Sequence, residues 1–297
     1  MKLDIRYRCT FEYGELVRES QNELRACPTT DERQTVLAYR VNTFPTGRVF
    51  SFDDYWGTRV DAFGVREPHI FLEVVAEATV ETRARPLIAS TAHVDRLIDP
   101  VFLAAHFEYL ERSQHVSWDG RAGDEARRQL ELSGPDVVSV VLGIHRRAGV
   151  LLTYAPGTTY IGVSTDEVLA RQTGVCQDFA HLAVAMCRAV GVPARYVSGY
   201  LFTADDATGE EGADDVVSVQ THAWFEAAIP GLGWIALDPT NAQEVGLRHV
   251  KIGHGRDYDD VSPLRGVYSG PQAATLGVAV EMRRLSDLAS AQRQQQQ

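Results

Sequence analysis

The sequence predicts an α+β fold, in which an amino-terminal antiparallel β-sandwich precedes a domain that mixes helices with strands. The first indication is the alternation of apolar and polar residues before residue 86, which is typical of half-buried strands. The second is helical periodicity over 136–147 and 164–190. The third is a pair of later strand-like segments joined by a glycine-rich turn. Strands gathered at one end and helices placed after them indicate α+β rather than an alternating α/β chain.

Three segments support the sandwich most directly. Residues 72–81 alternate with their acidic side chains on one face, and 34–41 and 59–65 follow the same pattern. Cys9 falls on the apolar face of the first strand, so we expect it in the core. An arginine- and proline-containing stretch ends this unit, and we place the first domain at 1–86.

The second domain is predicted over 87–285. Residues 102–110 indicate a short helix, and 136–147 indicate a longer one that follows a Gly–Pro start. Strand-like residues at 267–268 and 275–285 are expected to close this domain.

A cysteine at the start of a helix is the most informative feature of the chain. A helical run over 164–171 is broken near Gly174, and a new helical period begins at Cys176 and stops at Gly191. A thiol in a first helical turn lies against free backbone N–H groups and the positive end of the helix dipole, which favour the nucleophilic thiolate. The same N–H groups could hold an oxyanion, and the adjacent Gln177 could line the site.

A base and an orienting group follow the cysteine in sequence. His222 lies in one strand-like segment and Asp238 in the next, so the hairpin predicts them as cross-strand neighbours. A thiol nucleophile needs such a base, and the base needs a partner that orients it. Two alternatives stay open here: Asp238 could close the turn before Pro239, and Trp224 could line an acyl pocket or belong to the core.

These segments resemble the transglutaminase-like superfamily, a group of thiol enzymes related to papain. The matching text is GVCQDFAHLAVAMCRAVGVPARYVSGYL and HAWFEAAIPGLGWIALDPTN. By position, the resemblance implies a papain-like transglutaminase core with Cys176 as nucleophile, His222 as base and Asp238 as the residue that orients it. The bacterial branch is also similar in its carboxy-terminal block, here GRDYDDVSP and RGVYSG, and in an amino-terminal domain with LR, DDYWG and PH.

The resemblance implies acyl transfer through a thioester on Cys176, with a peptide or protein amide as substrate and no metal or organic cofactor. Hydrolysis is preferred because water is abundant and no site for a second substrate is recognisable. Protein-glutamine transamidation or deamidation shares the first half-reaction and stays an alternative, as does a non-catalytic peptide-binding module. A zinc site ranks lower, because the sequence has no paired-ligand spacing.

Composition and charge exclude several classes of partner. The net charge of −11 disfavours nucleic acid and anionic membranes. No run of ~18 apolar residues indicates a membrane span. The amino terminus lacks the apolar segment of a signal peptide, so we expect a cytoplasmic protein. No cysteine belongs to a CxxC pair; Cys27 is expected to be a free thiol and Cys187 to pack in the core. A polar tail over 286–297 ends in four glutamines.

The remaining features have structural interpretations. The acidic segment 204–215 is expected to be a solvated loop, although its place between the catalytic segments would let it overhang the cleft. His181 falls on the far side of the helix from Cys176 and is expected to be structural, as is Tyr154. Arg195 is predicted to form a buried ion pair, and the loop 256–258 either approaches the cleft or forms a salt bridge.

Overall fold

A computed structural model describes residues 1–84, 91–157, 162–203, 216–270 and 274–285. The predicted domain end at 86, the acidic segment 204–215 and the tail 286–297 lie outside these described residues.

The described residues form mostly β-structure with a helical layer. The strands are β1 (Lys2–Val17), β2 (Glu19–Leu24), β3 (Gln34–Phe44), β4 (Val49–Asp53), β5 (Arg59–Val65), β6 (His69–Thr82), β7 (Thr153–Tyr154), β8 (Thr173–Gly174), β9 (Ala194–Leu201), β10 (Val216–Val219), β11 (Thr221–Ile229), β12 (Gly233–Asp238), β13 (Gln243–Glu244), β14 (His249–Gly255), β15 (Leu264–Ser269) and β16 (Ala274–Leu285). The α-helices are α1 (Pro100–His106), α2 (Arg121–Ser133), α3 (Val137–Leu151), α4 (Thr165–Arg171) and α5 (Cys176–Ala189). Short 3-10 turns occupy Val94–Ile98, Phe107–Tyr109 and Tyr258–Asp260.

Two antiparallel sheets form the sandwich. One has the strand order β10-β16-β1-β6-β3 and the other has the order β15-β2-β5-β4. Apolar side chains from both sheets, including Leu3, Leu24, Phe63 and Val80, share one buried core. The strands predicted at 34–41, 59–65 and 72–81 lie within β3, β5 and β6, and Cys9 is buried as expected.

The closing strands belong to the sandwich sheets by their hydrogen bonding. We expected them to end the second domain, but β16 pairs along β1 from Lys2↔Leu285 to Tyr13↔Ala274, and β15 pairs with β2. The physical reason is that β6 covers only one edge of β1, so the other edge requires a partner. The domain ends at 86 and 285 therefore stay predictions, while the sheets themselves combine both ends of the described chain.

A third sheet, outside the sandwich, has the order β13-β12-β11-β9-β14 and is antiparallel throughout. Helices α2, α3 and α5 pack around one apolar core. Most residues of α5 are buried. Helix α2 was not predicted, because its segment mixes polar and small residues. Among the described helices, none has the length and apolar character needed to cross a membrane.

The sandwich packs directly on β14. Tyr200, Val250 and Ile252 of the third sheet, and Phe202 directly after β9, join the apolar core of the sandwich. Gln34 Nε2 donates to the Lys251 carbonyl over 2.7 Å, and the Lys251 N–H donates to Gln34 Oε1 over 2.8 Å. This reciprocal pair satisfies buried backbone groups of an edge strand, so the sandwich covers that edge.

Candidate active site

Cys176 is the first residue of α5, and the local sequence explains why the helix begins there. Val175 has an extended backbone, and its N–H donates to Asp178 Oδ2 over 2.8 Å. Its carbonyl accepts from the N–H groups of Asp178 and Phe179. A Cβ at Gly174 would lie 2.8 Å from that of Asp178, so glycine allows this close approach. The resulting cap leaves the Cys176 thiol partly exposed at the helix start.

Two backbone N–H groups lie at the helix start beside the thiol. The N–H groups of Cys176 and Gln177 occupy the first two helical positions, where no carbonyl of the helix itself can accept from them. They add to the positive end of the helix dipole, which favours an anion at this place. Gln177 is half-buried beside the thiol, and its role in binding substrate or an oxyanion stays a prediction.

His222 and Asp238 lie on neighbouring strands and face each other. The register of β11 and β12 pairs Phe225 with Leu237, so one further step sets Asp238 opposite Trp224 and diagonal to His222. His222 Nε2 donates to Asp238 Oδ2 over 2.8 Å. The other ring nitrogen, Nδ1, is thereby left for the thiol, and the His222 side chain is hydrogen-bonded to Cys176. The structure thus brings the three predicted residues into one chain of contacts.

The charges along this chain favour an ion pair. Burial opposes protonation of His222, but hydrogen bonds to Asp238 and Cys176 outweigh it and raise the His222 pKa to about 9. Burial likewise opposes ionisation of Asp238, yet its hydrogen bonds from His222 and His249 hold its pKa well below the ordinary range. A protonated imidazole beside a thiol stabilises the thiolate, so this arrangement suits a thiolate–imidazolium pair.

Asp238 combines both interpretations that its sequence left open. Its Oδ1 accepts from the N–H groups of Thr240 (3.0 Å) and Asn241 (3.2 Å), which closes the turn after β12. Its Oδ2 accepts from His222 and from Asn241 Nδ2, the latter over 2.7 Å. The side chain is fully buried, and the turn holds Oδ1 while Oδ2 accepts from the surrounding side chains.

His249, the first residue of β14, contacts the same carboxylate and was not predicted. Its Nε2 donates to Asp238 Oδ2 over 3.2 Å, and its Nδ1 accepts from the Gly246 N–H over 3.2 Å. The residue is 4% exposed, and burial keeps its pKa below the ordinary value despite the nearby Asp238. The sequence of β14, which also carries Lys251 and His254, has no pattern that indicates this contact.

Trp224 lies behind the histidines and is 1% exposed. It packs with Val197 and Ala236, and its ring meets His249 edge-on at 5.4 Å and 80°. A Cβ at Gly199 would come within 2.4 Å of the indole, so the neighbouring strand requires glycine there. No face of the ring is open to a substrate. This burial favours the core interpretation, and a role of Trp224 in substrate binding stays a prediction.

The solvent side of the thiol carries two tyrosines. Tyr154 is 53% exposed, and its pKa is raised by partial burial and by the charge of Cys176, which indicates a nearby thiol. It pairs with Gly174 in the short parallel β7–β8 ladder, which leads directly into α5. Tyr258 packs in the same small apolar cluster as Cys176. Tyr154 was expected to be structural, but its exposure leaves it available to a ligand.

The loop at 256–258, before β15, contains both a salt bridge and a residue near the thiol, the two alternatives that the sequence left open. Arg256 forms an ion pair with Asp260 at 2.9 Å and lies over the Trp56 ring, whereas Tyr258 approaches Cys176. Asp257 is 3% exposed and caps the turn by accepting from the Asp259 N–H.

Two other predicted structural residues can be located. His181 Nε2 accepts from the Tyr258 N–H, so this ring faces the turn rather than the thiol. Arg195 forms the predicted buried ion pair with Glu226 at 2.6 Å and stacks on Trp234.

Two groups of side chains in the described ranges have the residue types of a metal site. They are His222, Asp238 and His249, and, at the turn before β15, His115, Asp257 and Asp259. Neither group includes Cys176. A cation in the first group would break the hydrogen bond between His222 and Asp238, so it would compete with thiol chemistry rather than support it.

Comparison with known proteins extends these observations over most of the chain. Residues 143–239, which contain Cys176, His222 and Asp238, match the family model of the transglutaminase-like superfamily. Residues 3–81 match the bacterial transglutaminase-like N-terminal region. An uncharacterized protein of Mycobacterium leprae is 37% identical over 93% of this chain and 96% of its own length.

More distant relatives include a named enzyme and a solved structure. A protein-glutamine gamma-glutamyltransferase of Pseudomonas aeruginosa is 27% identical over 57% of this chain and 25% of its own length. A crystal structure from Cytophaga hutchinsonii, of a protein provisionally assigned as a cysteine protease, superposes with a TM-score of 0.74. That match is 24% identical and covers 97% of this chain and 92% of the other. The likeness confirms the predicted α+β fold with its transglutaminase-like core.

Proposed function

This chain belongs to the transglutaminase-like superfamily, and we propose that it is a cysteine hydrolase that cleaves peptide or amide bonds through a thioester on Cys176. The observation that supports this most strongly is the hydrogen-bonded sequence of Cys176, His222 and Asp238 at a helix start. A half-exposed thiol, a protonated imidazole and a buried carboxylate are the groups that such chemistry needs.

Acylation uses the thiolate as nucleophile. Its sulfur attacks the amide carbonyl carbon, a C–S bond forms, and the negative charge moves to the carbonyl oxygen. The N–H groups of Cys176 and Gln177 are the donors best placed for that oxyanion. The C–N bond then breaks as protonated His222 delivers its proton to the leaving amine. Asp238, bonded to Nε2, holds the ring so that Nδ1 faces the reacting atoms.

Deacylation repeats these steps with water. Neutral His222 removes a proton as the water oxygen forms a bond to the thioester carbon. The tetrahedral intermediate collapses, the C–S bond breaks, and the product acid leaves while the thiolate–imidazolium pair is restored. Since Asp238 stays ionised well below neutral pH, it stabilises the imidazolium in both half-reactions.

Thiol reactivity tests the assignment of the nucleophile. Cys9 and Cys27 are buried, which raises the pKa of each to about 11, and burial also raises the pKa of Cys187. We therefore expect iodoacetamide at pH 7 to modify Cys176 before the other three, with turnover lost in proportion. Mass spectrometry of the folded protein would detect this. Modification of any other cysteine first, with activity lost in step, would reject Cys176.

Transamidation or deamidation is the second candidate, because the Pseudomonas aeruginosa relative bears the name of a glutamine transferase. The two candidates differ only in the acceptor that attacks the thioester. A peptide ester would acylate Cys176, and a fluorescent primary amine would then compete with water. We expect the free acid to dominate and amide product to rise without saturation. Saturable amine incorporation that suppresses the acid would favour a transferase.

A further inference from the structure

Two histidine rings share one carboxylate oxygen. Asp238 Oδ2 accepts from His222 Nε2 at 2.8 Å and from His249 Nε2 at 3.2 Å, and the two ring centres are 6.1 Å apart. Only His222 is hydrogen-bonded to Cys176. His249 therefore contacts no reacting atom and can act only through Asp238.

The tautomer of His249 is fixed by its backbone neighbour. The Gly246 N–H donates to Nδ1, so that nitrogen carries a lone pair and the ring proton lies on Nε2, directed at Asp238. Burial disfavours a second proton on this ring. His249 is thus a neutral donor with one orientation.

The ring has little freedom to leave this position. Trp224 packs edge-on against it, and the strand behind it pairs with β9 at His249↔Leu201. The sandwich holds the same strand two residues later, where Gln34 bonds both backbone groups of Lys251. Asn241, the other side-chain donor to Oδ2, is exposed and can exchange its bond with water.

We propose that His249 is a positioning residue of this active site. As a neutral, buried donor it holds Asp238 Oδ2 in the direction of His222, so that the imidazole keeps Nδ1 toward the thiol. The proposal rests on the thiol chemistry proposed above and adds a fourth residue to it. Without this donor Oδ2 would be held only by the exposed Asn241 amide and by His222 itself, so the carboxylate and the His222 ring could shift together.

Two variants separate a hydrogen-bond role from a packing role. His249→Leu removes the donor, whereas His249→Gln retains an N–H that reaches about as far as Nε2. We expect His249→Leu to lower kcat by about 10- to 100-fold with KM changed less than about twofold, the size of one hydrogen bond to a charged group. His249→Gln should stay within about fivefold of the wild type. Rates are divided by the concentration of thiol titrated with a peptide electrophile.

A substrate-independent measurement follows the His222 ring itself. In ¹⁵N-labelled protein, the Nε2–H of His222 should be slow to exchange with solvent in the wild type and in His249→Gln, and fast in His249→Leu. His254→Leu is the matched control, because His254 lies on the same strand and packs against Tyr109 instead of Asp238. It should leave both kcat and the His222 signal unchanged. If His249→Leu does not fold, His249→Phe keeps a ring without a donor and takes its place.

The outcomes are distinct. The proposal is supported if His249→Leu lowers kcat and speeds exchange of the His222 Nε2–H, while His249→Gln retains both wild-type values. Equal kcat in all variants, or equal loss in both with the His222 signal intact, overturns it. Turnover that survives Cys176→Ala would instead reject the thiol mechanism, and the exchange measurement would still decide the role of His249.

Discussion

The two ends of the active site are held very differently. At the carboxylate end, Asp238 is fully buried and accepts from His222, His249 and Asn241. At the thiol end, Cys176 is partly exposed and its neighbours Gln177 and Tyr154 reach solvent. The contrast indicates that orientation is set from the buried side, while the open side remains free to admit substrate. Substitutions at the two ends should therefore have effects on turnover that differ in cause as well as in size.

The largest effect is expected at the open end. Cys176→Ala removes the nucleophile and should reduce kcat by about 10⁴-fold or more, because the remaining groups cannot form a thioester. Folding should be retained, since the side chain is small and partly exposed. Steady-state hydrolysis of a peptide ester, with Cys187→Ala as the control, measures this. Wild-type turnover in Cys176→Ala would show that another residue carries the reaction.

A smaller but still large effect is expected at the buried end. Asp238→Asn keeps the shape but presents an amide to His222, which favours the wrong tautomer and weakens the imidazolium. We expect kcat to fall by about 10²- to 10⁴-fold, with a measurable remainder. Asp124→Asn, at an exposed position on α2, is the control. Unchanged kcat in Asp238→Asn would mean that the carboxylate only closes the turn after β12 and does not orient His222.

The pH dependence of stability provides a third comparison. Because folding raises the His222 pKa to about 9, its contribution is fully present below pH ~6.5 and is lost as the pH rises through about 9. The contribution is at most about 3 kcal/mol. The Tm difference between wild type and His222→Ala should therefore shrink between pH 6.5 and 9.5. A Tm difference that stays constant over this pH range would contradict a protonated His222 paired with Asp238.

The smallest effect is expected where the sandwich supports β14. Gln34→Ala leaves the Lys251 N–H without its buried side-chain partner, while the Lys251 carbonyl keeps the Thr29 N–H, and the free energy of unfolding should fall by about 1–3 kcal/mol. A modest drop in kcat should accompany it, because β14 also carries His249. Urea unfolding of this variant and of the exposed control Gln21→Ala measures the difference. Equal stability in both would show that the two domains are only loosely joined.

The same contrast explains what the sequence could predict. Cys176 could be located because its helix start is encoded within a few residues, from Gly174 to Asp178. His222 and Asp238 followed because one short turn fixes the register of β11 and β12. These are local signals, and each depends on chain neighbours or on a single hairpin.

The remainder of the site depends on distant pairings that no local pattern specifies. His249 reaches Asp238 only because β14 pairs with β9, and Trp224 is buried only because those strands close over it. The pairings of β15 and β16 with β2 and β1 are distant in the same way. Their alternation predicted strands correctly, but alternation does not identify which strand is the partner.

The pairing of β1 with β16 has a consequence for synthesis on the ribosome. Lys2 has its partner at Leu285, so β1 is synthesised long before the strand that covers its open edge. During translation that edge is exposed to other nascent chains, and such edges invite intermolecular pairing. The order of events also follows: the sheet formed by β9 and β11–β14, whose strands are close in sequence, can form before the sandwich is closed.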